Sequence, residues 1–203
     1  MLKRTPLVLL VALALLTSAA AGPADARLEA SGATARAYGI RVLEPGKAEA
    51  GTPTLSAPND AVLFTGSFSY NGLVTTGSAN ASVSAVSGAE ANATASAEIS
   101  NLSVFNGEIS ATSVVAHAHA TARAGAATGD VNGSTVTGLT VLGQPVASGS
   151  TTVALADWGT LSTVQGGASG SAATGYRGSV TALEIRLTAD HGGLLAGTTI
   201  LAG

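Results

Sequence analysis

The sequence predicts an all-β fold, an antiparallel β-sandwich or β-roll, and three observations lead there. Apolar residues recur at every second position across most of the chain rather than every 3.6, the period of a strand with one buried face. Asn-Gly occurs three times between such runs, at Asn71-Gly72, Asn106-Gly107 and Asn132-Gly133. That dipeptide supplies the positive φ angles of a tight hairpin turn. Finally, Thr, Val, Ser and Gly interrupt every alanine-rich stretch, which defeats a helical reading.

In order along the chain, residues 38–42 alternate as a first strand, closed by Pro45-Gly46. Residues 47–60, with Pro53, Pro58 and Asn59, read as a loop. Residues 62–70 and 73–83 form a pair around Asn71-Gly72, and residues 93–105 pair with Ile109–Arg123 around Asn106-Gly107. Asn132-Gly133 leads into 135–142. Trp158 sits between the strands Thr151–Leu155 and 160–164. A Gly/Ser/Ala-rich loop follows at 166–178, then strands at 180–187 and 194–201. Three segments share an apolar stride of three then two: Ile99, Leu102, Val104; Val136, Leu139, Val141; Val180, Leu183, Ile185. That stride breaks the strand period, so each copy should contain a bulge or sharp bend. Their unequal spacing disfavours a regular repeat, and an irregular β-solenoid is the alternative architecture.

The N-terminus reads as an export signal: Lys3 and Arg4, an unbroken apolar run from Leu7 to Leu16, then small residues ending in Ala24-Asp25-Ala26. The expected division is a signal peptide over 1–26 and a single secreted domain over 27–203, with Ala19-Ala20-Ala21 as a second cleavage motif. The run is short for a membrane span, which needs about 20 apolar residues. The chain of 203 residues has no cysteine, so neither disulfides nor a lipid-bearing cysteine is available. With 46% hydrophobic and 10% charged residues it should fold, yet only 3% are aromatic, so Val, Ile, Leu and Ala must build the core. The formal net charge is −3 and no lysine follows Lys47, which argues against nucleic acid or an anionic membrane as partner.

Five segments, residues 37–42 (AYGIRV), 97–114 (AEISNLSVFNGEISATSV), 134–146 (STVTGLTVLGQPV), 180–185 (VTALEI) and 195–200 (LAGTTI), together resemble the choice-of-anchor P family of secreted actinobacterial proteins. The resemblance implies an exported, surface-associated domain, with no enzyme activity and no catalytic residues to carry over. The chain shows no sorting motif for covalent wall attachment, so secretion or non-covalent association with the cell wall is expected. Cell-wall polymer or other surface proteins are the expected partners.

Candidate sites are few. His117 and His119 are two apart on one strand and share a face, where both imidazoles could meet one metal ion, with His191, Asp130 or Asp190 as third ligand. The competing reading, a solvated polar face opposite an alanine face, is the favoured one. Asp130-Val131-Asn132-Gly133 has the opening of a calcium loop without its later acidic ligands, and a turn explains it. Glu90, Glu98 and Glu108 could supply a carboxylate pair for glycoside hydrolysis, but few aromatic platforms accompany them. The chain lacks G-x-S-x-G and G-x-G-x-x-G motifs and a cysteine nucleophile, so no catalytic residue and no cofactor is assigned. Trp158 is either a loop-borne carbohydrate contact or the one large core plug, the plug being favoured. Thr135/Thr137 and Thr151/Thr152 hint at a threonine array of the kind that binds ice or crystal surfaces. The expected function is a non-enzymatic structural, envelope or adhesive domain, with an extracellular glycan- or metal-binding module as the alternative.

Overall fold

The structure, a computed structural model, describes residues 24–29, 32–58, 62–171 and 175–203. Most of the expected signal peptide, including the charged and apolar zones of residues 3–21, lies outside them. The described chain forms two antiparallel sheets that enclose one apolar core, a sandwich rather than a solenoid.

The first sheet is centred on a long hairpin of β17 (Gly159–Ser171) and β18 (Gly175–Leu187), with β16 (Thr151–Leu155) outside β17. The other side of β18 is shared. Its first half pairs with β1 (Ala24–Glu29), followed by β2 (Gly32–Ala37) and β5 (Leu55–Ala57). Its second half pairs with β19 (Thr199–Ala202), followed by β3 (Ile40–Leu43) and β4 (Ala50–Gly51). β1 therefore spans the expected boundary between Ala26 and Arg27.

The second sheet is built on β10 (Glu90–Val104) and β11 (Ile109–Arg123), paired along their full length. β9 (Ser78–Val86) and then β6 (Val62–Gly66) flank β10. The small hairpin of β7 (Ser69–Tyr70) and β8 (Val74–Thr75) extends the same side. Along the far edge of β11 run β12 (Ala126–Asp130), β13 (Thr135–Thr137) and β14 (Thr140–Val141) in succession, with β15 (Gln144–Pro145) beside the last.

Two Asn-Gly turns close hairpins as expected. Asn71 and Gly72 adopt φ 52° and 69° between β7 and β8, and Asn106 and Gly107 adopt 55° and 92° between β10 and β11. Asn132-Gly133 does something else. β12 and β13 both pair with β11 and run in the same direction, so this turn is a jog in one edge. The actual reversal after β11 is at Ala124-Gly125, where Arg123 faces Ala126 across a two-residue turn. The loop expected at 166–178 is also strand for most of its length, because β17 and β18 pair from Gly159↔Leu187 through Ser171↔Gly175.

The stride of three then two marks a crease. Ile99, Leu102 and Val104 are all buried although 99 and 102 have opposite strand parity. Asn101, at φ 49°, resets the phase between them. Gly138, at φ 64°, does the same between Val136 and Leu139, and Gly77 separates buried Thr76 from buried Ala79. These positions line up across the sheet: a Cβ on Gly77 would meet the Asn101 side chain at 3.1 Å, and one on Gly138 would meet Thr112 Oγ1 at 2.3 Å. In the opposite sheet Val164 has φ 47°, and β18 buries Val180, Thr181, Ala182 and Leu183 in succession. It is at this point that β18 changes partners from β1 to β19. The bend expected in each echo is thus one crease crossing the sandwich.

On one side of the crease the core is mostly alanine, with Leu55 and Val83 among it: Ala33, Ala35 and Ala37 of β2 lie inside with Ala79 and Ala81 of β9, Ala93, Ala95 and Ala97 of β10, and Ala116, Ala118 and Ala120 of β11. Backbones approach closely there. Cα atoms of β2 come within 8 Å of β9 and β10, and those of β1 within 8 Å of β10 and β11, against the ~10 Å usual for stacked sheets. On the other side Ile40, Ile109, Leu155, Leu161, Ile185, Leu187, Leu194 and Ile200 fill the core, with Phe105 and Trp158.

Candidate functional site

The outer face of the second sheet carries the polar residues that alternate with the alanines. Registers place them in rows across the strands. Ser78, Ser100, Ser113 and Thr137 form one row, Leu63, Ser82, Ser96 and His117 another, and Ser84, Thr94, His119 and Asp130 a third. Hydroxyls pair within rows, Ser78 with Ser100 at 2.7 Å, Ser82 with Ser96 at 2.8 Å and Thr121 with Thr128 at 3.0 Å. Such pairs hold the face in register at little energetic gain, since each hydroxyl also had water to bond. A shallow open depression on this face is lined by Leu63, Thr65, Asn80, Ser82, Ser96 and Glu98.

His117 and His119 share this face, as their spacing requires. Asp130, one of the expected third ligands, is the cross-strand partner of His119. His119 Nε2 lies 3.5 Å from Asn92 Nδ2, a long contact. His117 sits where the edge jogs: its backbone N–H donates to Ser134 Oγ at 3.0 Å, and its Nδ1 is shielded without a hydrogen-bond partner. Among the described residues no group of three His, Cys, Asp or Glu is placed to hold a metal ion. Asp130 Oδ1 accepts the Asn132 N–H at 3.0 Å, which makes Asp130-Asn132 a side-chain-stabilised turn.

His191 is at the other end of the molecule, in a cluster the sequence did not announce. Its ring stacks on Trp158 with centroids 3.8 Å apart and planes 3° apart. Phe105 meets both edge-on, at 5.5 Å from Trp158 and 4.8 Å from His191. His191 Nε2 is 2.8 Å from Glu108 Oε2. The cluster ties the β10–β11 turn, the β16–β17 turn and the loop before β19 together. The Trp158 carbonyl also accepts the N–H groups of Thr188 and Ala189. Trp158 is 7% exposed, so little ring surface is left for a sugar to stack on. Gly192, at φ 58°, passes so close to Phe105 that a Cβ would lie 2.4 Å from the ring. Asp190 is engaged too, accepting the Ala196 N–H at 2.7 Å.

The three glutamates do not converge. Glu90 and Glu98 are on one strand eight positions apart, about 27 Å at ~3.4 Å per residue, well beyond the spacing of a glycosidase pair. Glu108 faces His191 instead. The threonine pairs also separate: Thr135 and Thr137 are on β13 of the second sheet, Thr151 and Thr152 on β16 of the first.

Two further polar groups lie inside. Glu44 Oε2 accepts the Tyr70 hydroxyl at 2.8 Å and Oε1 is 2.8 Å from Lys47 Nζ, linking the β3–β4 turn to β7 across the two sheets. Lys47 first, then Tyr70, hold this carboxyl below its usual range. Tyr38 is buried with its hydroxyl unpaired and Arg41 4.0 Å above its ring, and burial pushes the phenol well above its ordinary value. No family model, curated protein or solved structure matches this chain.

Proposed function

We propose that the protein is a non-enzymatic, exported β-domain of the choice-of-anchor P type, held at or near the cell surface in a structural, envelope or adhesive role. The observation that carries this reading is the outer face of the second sheet. It is a broad surface of Ser, Thr, Asn and His backed by a tightly packed alanine layer. A stiff sheet presenting rows of small hydroxyl and amide groups suits shallow, repeated contact with a hydroxyl-rich polymer, such as the glycans of a cell wall. Leu63, 70% exposed, borders the depression in that face and adds an apolar contact beside the hydroxyls.

Fractionation of a tagged full-length protein secreted from an actinobacterial host tests the reading. Most of the protein should be in the wall fraction, and purified protein should co-sediment with isolated cell wall. Replacing Ser82 and Ser96 with Lys should reduce co-sedimentation roughly tenfold, as bulky cations displace the paired hydroxyls. Protein found wholly in the medium, with no affinity for wall material, would exclude the surface role.

A further inference from the structure

The leader contains two small-residue motifs that a signal peptidase could use, Ala19-Ala20-Ala21 and Ala24-Asp25-Ala26. The fold separates them. β1 is an interior strand: Ala24, Asp25, Ala26 and Arg27 face Val180, Ser179, Gly178 and Arg177 of β18, while Asp25 through Glu29 face Arg36 through Gly32 of β2. Its backbone also approaches β10 and β11, so it closes the first sheet over the alanine layer.

Cleavage after Ala26 would remove the first half of β1. Backbone groups of Gly178 to Val180 and of Ala35 and Arg36 would lose their partners, and a charged ammonium group on Arg27 would lie between two strands. Interior backbone groups are almost always paired, and unpaired ones are costly. Cleavage after Ala21 leaves only Gly22 and Pro23 ahead of an intact β1.

Resting on the export reading above, we infer that the chain is cut after Ala21, so that the mature protein begins at Gly22 and Ala24–Glu29 is the first strand of the folded domain. The host's signal peptidase hydrolyses the Ala21–Gly22 peptide bond. Water supplies hydroxyl to the Ala21 carboxyl and a proton to the Gly22 amine.

Mass spectrometry of the N-terminal peptide of the secreted full-length product decides the matter. Chains beginning at Gly22 should outnumber those beginning at Arg27 by roughly tenfold or more. A majority beginning at Arg27 would overturn the inference while leaving export standing. An uncleaved chain would overturn both, so the two failures are told apart. A second variant, Ala26→Val, blocks the downstream motif with a branched residue. Its processing should stay within about twofold of the parent, still starting at Gly22, and a loss of processing would refute the inference. That readout is taken during export and does not depend on whether the variant folds.

Discussion

The two sides of the crease solve the same burial problem with opposite materials. On one side, rows of alanine from β2, β9, β10 and β11 meet across a narrow gap, and backbone approach replaces side-chain volume. On the other, isoleucines, leucines, Phe105 and Trp158 span a space that has loops at its rim. An alanine side chain buries little area, so the narrow side depends on dispersion between closely spaced backbones and on unbroken ladders. The wide side gains its stability from large side chains, about 1.5–3 kcal/mol for each one fully buried. The difference teaches that a chain poor in aromatics can still form a large sandwich, if most of its large buried side chains gather at one end and the other end is thin.

This contrast can be broken from either side. The largest effect is expected for Trp158→Ala, which empties the centre of the aromatic cluster and should cost about 3–5 kcal/mol in urea unfolding of the purified protein. Ala118→Leu on the narrow side should cost about 3 kcal/mol, since both sheets would have to part to admit it. The same enlargement would be absorbed if the alanine layer were loosely packed, and a loss below about 1 kcal/mol would show that. Gly138→Ala tests the crease itself. Positive φ and the approach to Thr112 predict a loss of about 2 kcal/mol, with Gly133→Ala, where a Cβ has open space, costing less. Tyr38→Phe should raise stability by about 1 kcal/mol, because it removes a buried hydroxyl that has no partner.

The last test concerns the latch between the sheets. The Glu44 carboxyl is held below its ordinary value of 4.5 in the folded protein, so it binds protons more weakly than in the unfolded chain. Its contribution is therefore full above the ordinary carboxylate range and is lost as the pH falls through the folded value. Unfolding midpoints measured from pH 7 down to pH 3 should fall, and Glu44→Gln should flatten that fall. An unchanged slope in the variant would mean that the latch carries no stability.

Legibility followed the range of each signal along the chain and not the crease. The strand Ile109–Arg123 and its Asn106-Gly107 turn were plain in the sequence, because strict alternation and a positive-φ dipeptide are local signals. Asn132-Gly133 carried the same local signal and yet makes no hairpin, because the long β11 offers a continuing edge that both flanking strands occupy. The hairpin of β17 and β18 was hidden for a related reason. Gly and Ser have low strand propensity, and only pairing along the whole of β18 holds residues 165–171 extended. Strand β1 was hidden because the expected signal-peptide boundary falls inside it, and β2 precedes the first strand expected at 38–42. His117 and His119 fall on the predicted face, whereas His191 belongs to a cluster whose members lie 33 to 86 positions apart in the chain, Phe105, Trp158 and His191.

The sequence by itself determined the β class, the polar and alanine faces of the long strands, and two of the three Asn-Gly reversals, since period and turn chemistry act between near neighbours. Only the tertiary structure decided the rest. Which strands share an edge, where the crease aligns Gly77, Asn101 and Gly138, and what covers Trp158 all depend on residues distant in the chain, and no local pattern encodes them.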